Sequence, residues 1–191
     1  MKPKILAFAG SSRKDSFNKK LIRIAVEGAK EAGADVTLID LGDFPMPIYD
    51  GDYEDALGMP DKAKELKKLF LEHRGLLIAS PEYNSSFSGL IKNCIDWISR
   101  PVPNEPYLIA FKDKIAALFS ASPGALGGLR GLVHLRAMLG NIGVMTLPGQ
   151  VCISTADKAF DEAGKLLDSQ QEKKTKELAA SLSTLLATTQ K

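Results

Sequence analysis

A chain of 191 residues, 45% of them hydrophobic, can bury one sizeable core and is too short for two ordinary domains. Its 25 basic and 23 acidic residues leave a net charge of +2, and no Lys/Arg stripe with interleaved aromatics marks a nucleic-acid surface. No stretch has the length and apolarity of a membrane span or the layout of a signal peptide, so one cytoplasmic domain without a membrane partner is expected. Cys94 and Cys152 sit in apolar surroundings without a neighbour at metal-ligand spacing, and neither a disulfide framework nor a metal site is expected.

Residues 5–9 form an unbroken apolar run, as suits a strand buried on both faces of a parallel sheet. Gly10 lets the chain turn, and Ser11, Ser12, Arg13 and Ser16 then bring hydroxyls and a planar guanidinium ahead of a helix that begins near Phe17. The free amides of a helix N-terminus point to the same place, so this loop is built for an anion, above all a phosphate. In a plainer reading Ser16 only caps the helix and Arg13 is solvated.

Residues 17–32 place Phe17, Leu21, Ile22, Ala25, Val26 and Ala29 on one helical stripe, and Gly33 is the natural stop. Residues 35–41 read as a second strand, which makes the intervening helix a right-handed parallel crossover. From 42 to 60, with Pro45, Pro47, Gly51 and Gly58, the chain turns irregular; Asp43, Asp50, Asp52, Glu54 and Asp55 match no calcium loop and read as a solvated loop. Residues 61–74 predict a charged amphipathic helix between Pro60 and Gly75, with His73 on its surface.

Residues 76–79 are a third strand, followed by Ser80, Pro81, Glu82, Tyr83 and Asn84 and then by a helical period of Leu90, Ile91, Cys94, Ile95 and Ile98. Trp97 is core or a subunit contact. Residues 101–106 form a proline-rich connector, and 115–120 a fourth strand. Beyond it, Ser120 and Ser122 offer hydroxyls, while Gly124, Gly127 and Gly128 would let backbone approach a flat ring or simply make a tight turn. A helix over 129–139 carries His134 as a surface or oligomer contact; 143–153 is the last strand, bent at Pro148 and Gly149. A closing helix is expected over 157–186, with frayed residues 188–191. In an open parallel sheet, ligands sit beyond the carboxyl ends of the strands where the winding reverses, and the loops after the first, third and fourth strands would meet there.

The loop from Gly10 to Asn18, the run Ser80, Pro81, Glu82, Tyr83, Asn84 and the helix from Leu90 to Trp97 together resemble the NAD(P)H-dependent FMN reductases, the flavodoxin-like quinone and chromate reductases. The resemblance implies an α/β, flavodoxin-like three-layer sandwich with a five-stranded parallel sheet in the order 2-1-3-4-5. By the same resemblance Ser11, Arg13, Ser16, Phe17 and Asn18 would hold the FMN phosphate, and Pro81, Glu82, Tyr83 and Asn84 would lie along the flavin ring. Ser120, Ser122 and Gly124 join them as candidate cofactor-binding residues from the neighbouring loop. Ser88 stands where many relatives carry proline and is placed to cap the next helix. The implied activity is hydride transfer from NADPH or NADH through FMN, in ping-pong order, to quinones, azo compounds, free flavin or oxidised metal, in a homodimer or homotetramer. No catalytic acid or base is assigned, because the flavin carries the redox chemistry.

Other classes stay in view at this stage. Cys94 and Arg100 have the spacing of a tyrosine-phosphatase loop, but the residues between them keep a helical register and include no glycine to admit an anion. A flavodoxin-type electron carrier would also bind FMN, though its acidic surface is absent at a net charge of +2. A binding module without productive cofactor use is the third class. No Gly-x-Gly-x-x-Gly fingerprint is present to distinguish NADH from NADPH.

Overall fold

The computed structural model describes residues 2–189. Strand β1 (Lys4–Ala9) leads through the first loop to helix α1 (Phe17–Glu31) and strand β2 (Asp35–Asp40). A single 3-10 turn at Leu41–Asp43 precedes α2 (Gly51–Leu57) and α3 (Asp61–Glu72). Strand β3 (Gly75–Ala79) is followed by a two-stranded hairpin, β4 (Glu82–Tyr83) and β5 (Ser86–Phe87), and by α4 (Gly89–Ile98). Then come β6 (Ile115–Ala121), α5 (Leu129–Asn141), β7 (Met145–Ile153) and α6 (Ser169–Thr188).

The main sheet is parallel throughout, in the order β2-β1-β3-β6-β7, which is 2-1-3-4-5 when its strands are counted alone. Side chains alternate across it with period two. Ile5, Ala7, Ala9, Leu77, Ala79, Phe119 and Ala121 pack under α1 and α6, whereas Leu6, Phe8, Leu76, Ile78, Ala116 and Leu118 pack under α3, α4 and α5. Both faces are therefore covered, which is why the central strands are nearly free of polar residues. The winding reverses between β1 and β3, and their adjoining loops open a crevice at the carboxyl ends. Between β6 and β7 the register shifts across Leu147, Pro148 and Gly149, the expected bend.

Several expectations need correction. The segment expected to be irregular contains α2, whose start Asp50 caps by accepting from the amides of Asp52 (2.8 Å) and Tyr53 (3.1 Å). Its acidic residues are not simply solvated, since Glu54 accepts from Arg100 Nε at 2.9 Å and from the Tyr49 hydroxyl at 2.9 Å. Trp97 takes the core position, one of the two expected for it, and its indole N–H donates to the Pro47 carbonyl at 2.8 Å, which fastens this strap to α4. The closing helix starts at Ser169, after an irregular stretch whose Asp168 supplies the cap. Thr188 is still helical, while Gln190 and Lys191 of the expected frayed end lie outside the described residues. His73 is buried, with Nδ1 on the Leu69 carbonyl at 2.7 Å and Nε2 on Thr37 Oγ1 at 2.8 Å. Beside it Lys114, also buried, donates to the His73 carbonyl at 2.6 Å, at the sheet end opposite the crevice.

Candidate functional site

The loop after β1 is shaped by close contacts. Gly10 has no room for a side chain, since a Cβ there would stand 2.2 Å from Ile91 Cδ1, and its N–H continues the ladder to the Ala79 carbonyl at 2.8 Å. The chain then turns outward, with the Arg13 amide donating to Ser11 Oγ at 3.3 Å. Ser16 takes the N-cap backbone position of α1, yet its hydroxyl accepts no capping bond and the first turn carries no acid. The first bond of the helix runs from the Lys20 N–H to the Ser16 carbonyl at 3.1 Å, so the amides of Phe17, Asn18 and Lys19 precede the ladder. Arg13 enters none of the ion pairs among the described residues. A helix start with free donors, two serine hydroxyls and an unpaired guanidinium suits a phosphate.

Across the crevice the chain leaves β3 at Ser80 and Pro81 and folds into the β4–β5 hairpin. Its tip, Asn84 and Ser85, has φ of 50° and 64°, the two-residue turn whose twist matches paired strands. Tyr83, beside this tip, is 51% exposed. Ser11, Arg13, Ser16, Phe17, Asn18, Pro81, Glu82, Tyr83 and Ser122 line one cleft of about 90 Å³. Nine of the twelve expected residues are brought together there, along with Ala121 and Pro123, which carry no donor side chain to flag them.

Three expected residues do not line it. Ser120 is fully buried and turned to the other face of the sheet, where its hydroxyl donates to the Ser80 carbonyl at 2.7 Å. Gly124 lies outside, its amide bonded to Ser122 Oγ at 3.3 Å, and Asn84 stands at the hairpin tip. Asn18 does line the cleft, but both ends of its amide are occupied: Nδ2 donates to the Ala121 carbonyl at 2.9 Å and Oδ1 accepts from the Ala121 N–H at 3.0 Å. Its backbone amide, which precedes the helix ladder, stays open to a ligand.

Glu82 is the acid of the cleft, and it is already paired. Oε1 accepts from Arg130 Nε (3.1 Å) and Nη2 (3.0 Å), and Oε2 from the Gly131 amide (2.9 Å). Burial by itself would raise its pKa; the bonds from Gly131 and Arg130 overcome that and hold the carboxyl below its usual range. Burial, and then the nearby Glu82 charge, push the Cys152 thiol up to about 11. Cys94 is 3% exposed inside α4 and pushed up to about 12 by burial, and Arg100 is paired with Glu54. No thiolate and no free cation meet there, which removes the phosphatase reading. Ser88 caps α4, accepting from the Ile91 amide at 3.3 Å.

A roomier hollow, about 610 Å³, lies between α1 and α6, but the Lys176 ammonium there is ringed by the carboxylates of Glu27, Glu31 and Glu172. Free donors rather than volume distinguish the smaller cleft.

The comparisons bear on the family and the fold. The model of the family described as NADPH-dependent FMN reductase matches residues 3–158. An NAD(P)H-dependent FMN reductase of Pseudomonas aeruginosa is 39% identical over 166 residues, 86% of this chain and 85% of the relative. A quinone reductase of Pseudomonas putida is 33% identical over 166 residues, covering 86% and 84%. Among solved structures, the flavoenzyme NAD(P)H:(acceptor) oxidoreductase FerB of Paracoccus denitrificans superposes with a TM-score of 0.79 over 98% of both chains at 26% identity. An archaeal flavodoxin shares the fold at 12% identity, with a TM-score of 0.63 over 96% of this chain and 99% of that one. A matched family over most of the chain, relatives at 33–39% identity and a flavodoxin-like sheet make this chain a member of the NADPH-dependent FMN reductase family, an FMN-dependent oxidoreductase with NAD(P)H as electron donor.

Proposed function

We propose that the chain acts as a single-domain cytoplasmic reductase that uses NADPH or NADH to reduce quinones, with azo compounds, free flavin and oxidised metal as further acceptors, in ping-pong order. FMN, when bound, supplies the redox chemistry by taking a hydride from the nicotinamide and passing it on. The observation that carries the reading is the open N-terminus of α1: uncapped amides, the Ser11 and Ser16 hydroxyls and Arg13 converge on one cleft whose lining carboxylate, Glu82, is taken up by Arg130 and Gly131. These groups would hold the FMN phosphate. Pro81 fixes the chain direction beside them, Tyr83 brings an aromatic face with a polar tip to the mouth, and Ser122, Gly124 and Asn84 stand on the surrounding loops. Glu82 is saturated by Arg130 and Gly131, so it is not offered as a proton donor or base. A homodimer or homotetramer completes the proposal, following the family resemblance.

The first experiment is an absorbance spectrum of protein incubated with FMN and desalted, followed by anaerobic NADPH, NADH and then a quinone. A retained flavin band, bleached by a nicotinamide and restored by the quinone, is expected. Parallel lines in double-reciprocal plots would establish ping-pong order, and light scattering the oligomer. A retained band that neither nucleotide bleaches would point to an electron carrier, and no retained band would remove the flavin site.

A further inference from the structure

Two helices begin beside the loops of the cleft, and their N-termini are treated differently. That of α1 is open. That of α5 begins at Gly128, in the left-handed region with φ 90°, and no side chain of its own caps it. Its cap comes from the hairpin, because Glu82 Oε2 accepts from the Gly131 N–H in the first turn of α5, 49 residues further along the chain. A carboxylate there both satisfies an orphan amide and meets the positive end of the helix. Arg130, on the same turn, binds the other oxygen through two N–H groups.

The contact is close on every side. A Cβ on Gly131 would stand 3.1 Å from the Ser86 carbonyl and 3.3 Å from Glu82 Cβ, and one on Gly128 would stand 1.9 Å from Ser120 Oγ. On the second strand of the hairpin, Ser86 Oγ meets His134 Nδ1 at 3.2 Å. Both hairpin strands therefore rest on α5. The pairs Glu82↔Phe87 and Tyr83↔Ser86, closed by a two-residue turn, fix Tyr83 relative to Glu82. An exposed ion pair alone would hold little, but the Glu82 side chain is only 9% exposed and takes a backbone amide as well.

We infer that Glu82 is a positioning residue, whose carboxylate docks the β4–β5 hairpin on the first turn of α5 and thereby sets Tyr83 at the mouth of the cleft. The functional half of this rests on the FMN reading; the docking half does not. In apoprotein the Gly131 amide resonance, followed by NMR, titrates with the Glu82 carboxyl. In Glu82→Ala its shift moves upfield and its hydrogen exchange speeds up. FMN binding by Glu82→Ala weakens about tenfold and the bound flavin spectrum moves toward that of free FMN, while competition by inorganic phosphate is unchanged. Glu82→Gln, whose amide oxygen still accepts from Gly131, restores most of the affinity and the spectrum.

A Gly131 amide indifferent to Glu82→Ala overturns the docking. A Glu82→Ala variant that loses the Gly131 bond yet keeps wild-type FMN affinity and spectrum overturns the positioning role. Glu82→Gln as impaired as Glu82→Ala, with a normal Gly131 exchange rate, would assign Glu82 to direct charge contact instead. Wild-type protein that binds no FMN would overturn the cleft reading, and the Gly131 amide would still decide the docking.

Discussion

Asn18 grips the backbone of a single distant residue, Ala121, with both ends of its side-chain amide, at 2.9 and 3.0 Å. It thereby ties the start of α1 to the end of β6 and sets the distance between the loop after β1 and the loop at Ser122. Asn18→Ala leaves a buried N–H and a buried carbonyl of Ala121 without partners, which costs about 2–4 kcal/mol. Asn18→Asp can still accept from the amide, but it sets a carboxylate oxygen against the Ala121 carbonyl and adds negative charge at the uncapped start of α1, where the FMN phosphate is proposed to sit. Both variants are expected to lower the urea midpoint of the apoprotein, and Asn18→Asp to lose more FMN affinity than Asn18→Ala. Wild-type midpoints would show that the bridge is not a strut.

Arg13 and Lys14 are adjacent cations, and only Arg13 lines the cleft. Arg13→Ala should weaken FMN binding by roughly tenfold or more, as for a lost charge-assisted bond, with a smaller effect from Lys14→Ala. Riboflavin, which has no phosphate, should be insensitive to either. Titration by flavin fluorescence distinguishes the cases, and equal losses for the two variants would remove Arg13 from the phosphate site.

The sheet was legible because its strands are two-sided apolar runs and its crossovers follow one handedness. The cleft was legible because the family pattern and the carboxyl-end rule agree. What escaped depends on the partners of polar groups. Ser120 reads as a donor, but strand parity places it with Ala116 and Leu118 on the α5 face, whereas Ala121 shares the α1 face with Phe119 and Ala117. The alternation already held that signal. The engagement of Asn18, by contrast, depends on a residue 103 positions away. His73 looked like helix surface because Thr37, its buried partner, comes from β2. Helix α2 was hidden by short length and by Gly51 and Gly58 at its two ends, where Asp50 supplies a cap that reads equally well as a loop acid.

Cys94 has the spacing of a catalytic thiol and none of the chemistry. Burial holds its pKa near 12, so iodoacetamide at pH 8 should leave it unmodified in native protein and label it promptly in urea, read by intact mass. Rapid native labelling assigned to Cys94 by peptide mapping would contradict the packed helix.

Lys114 makes the stability of the protein depend on pH in a direction that can be derived. Burial lowers its pKa to about 8 from 10.5, and its hydrogen-bond partner is the neutral His73 carbonyl. Below pH 8 the lysine is charged in both folded and unfolded chains, and the folded state bears the cost of burying that charge. Between 8 and 10.5 the unfolded chain keeps the proton that the folded chain has released, so rising pH favours folding, by about 1.4 kcal/mol per pH unit and roughly 3 kcal/mol in all. Lys114→Met removes the titration. Measured by urea unfolding of the apoproteins from pH 7 to 10.5, wild type should gain on Lys114→Met throughout the alkaline window, because every other titrating group is common to both chains. Parallel stability curves would mean that the ammonium is solvated in the folded protein and that its burial beside His73 is not maintained in solution.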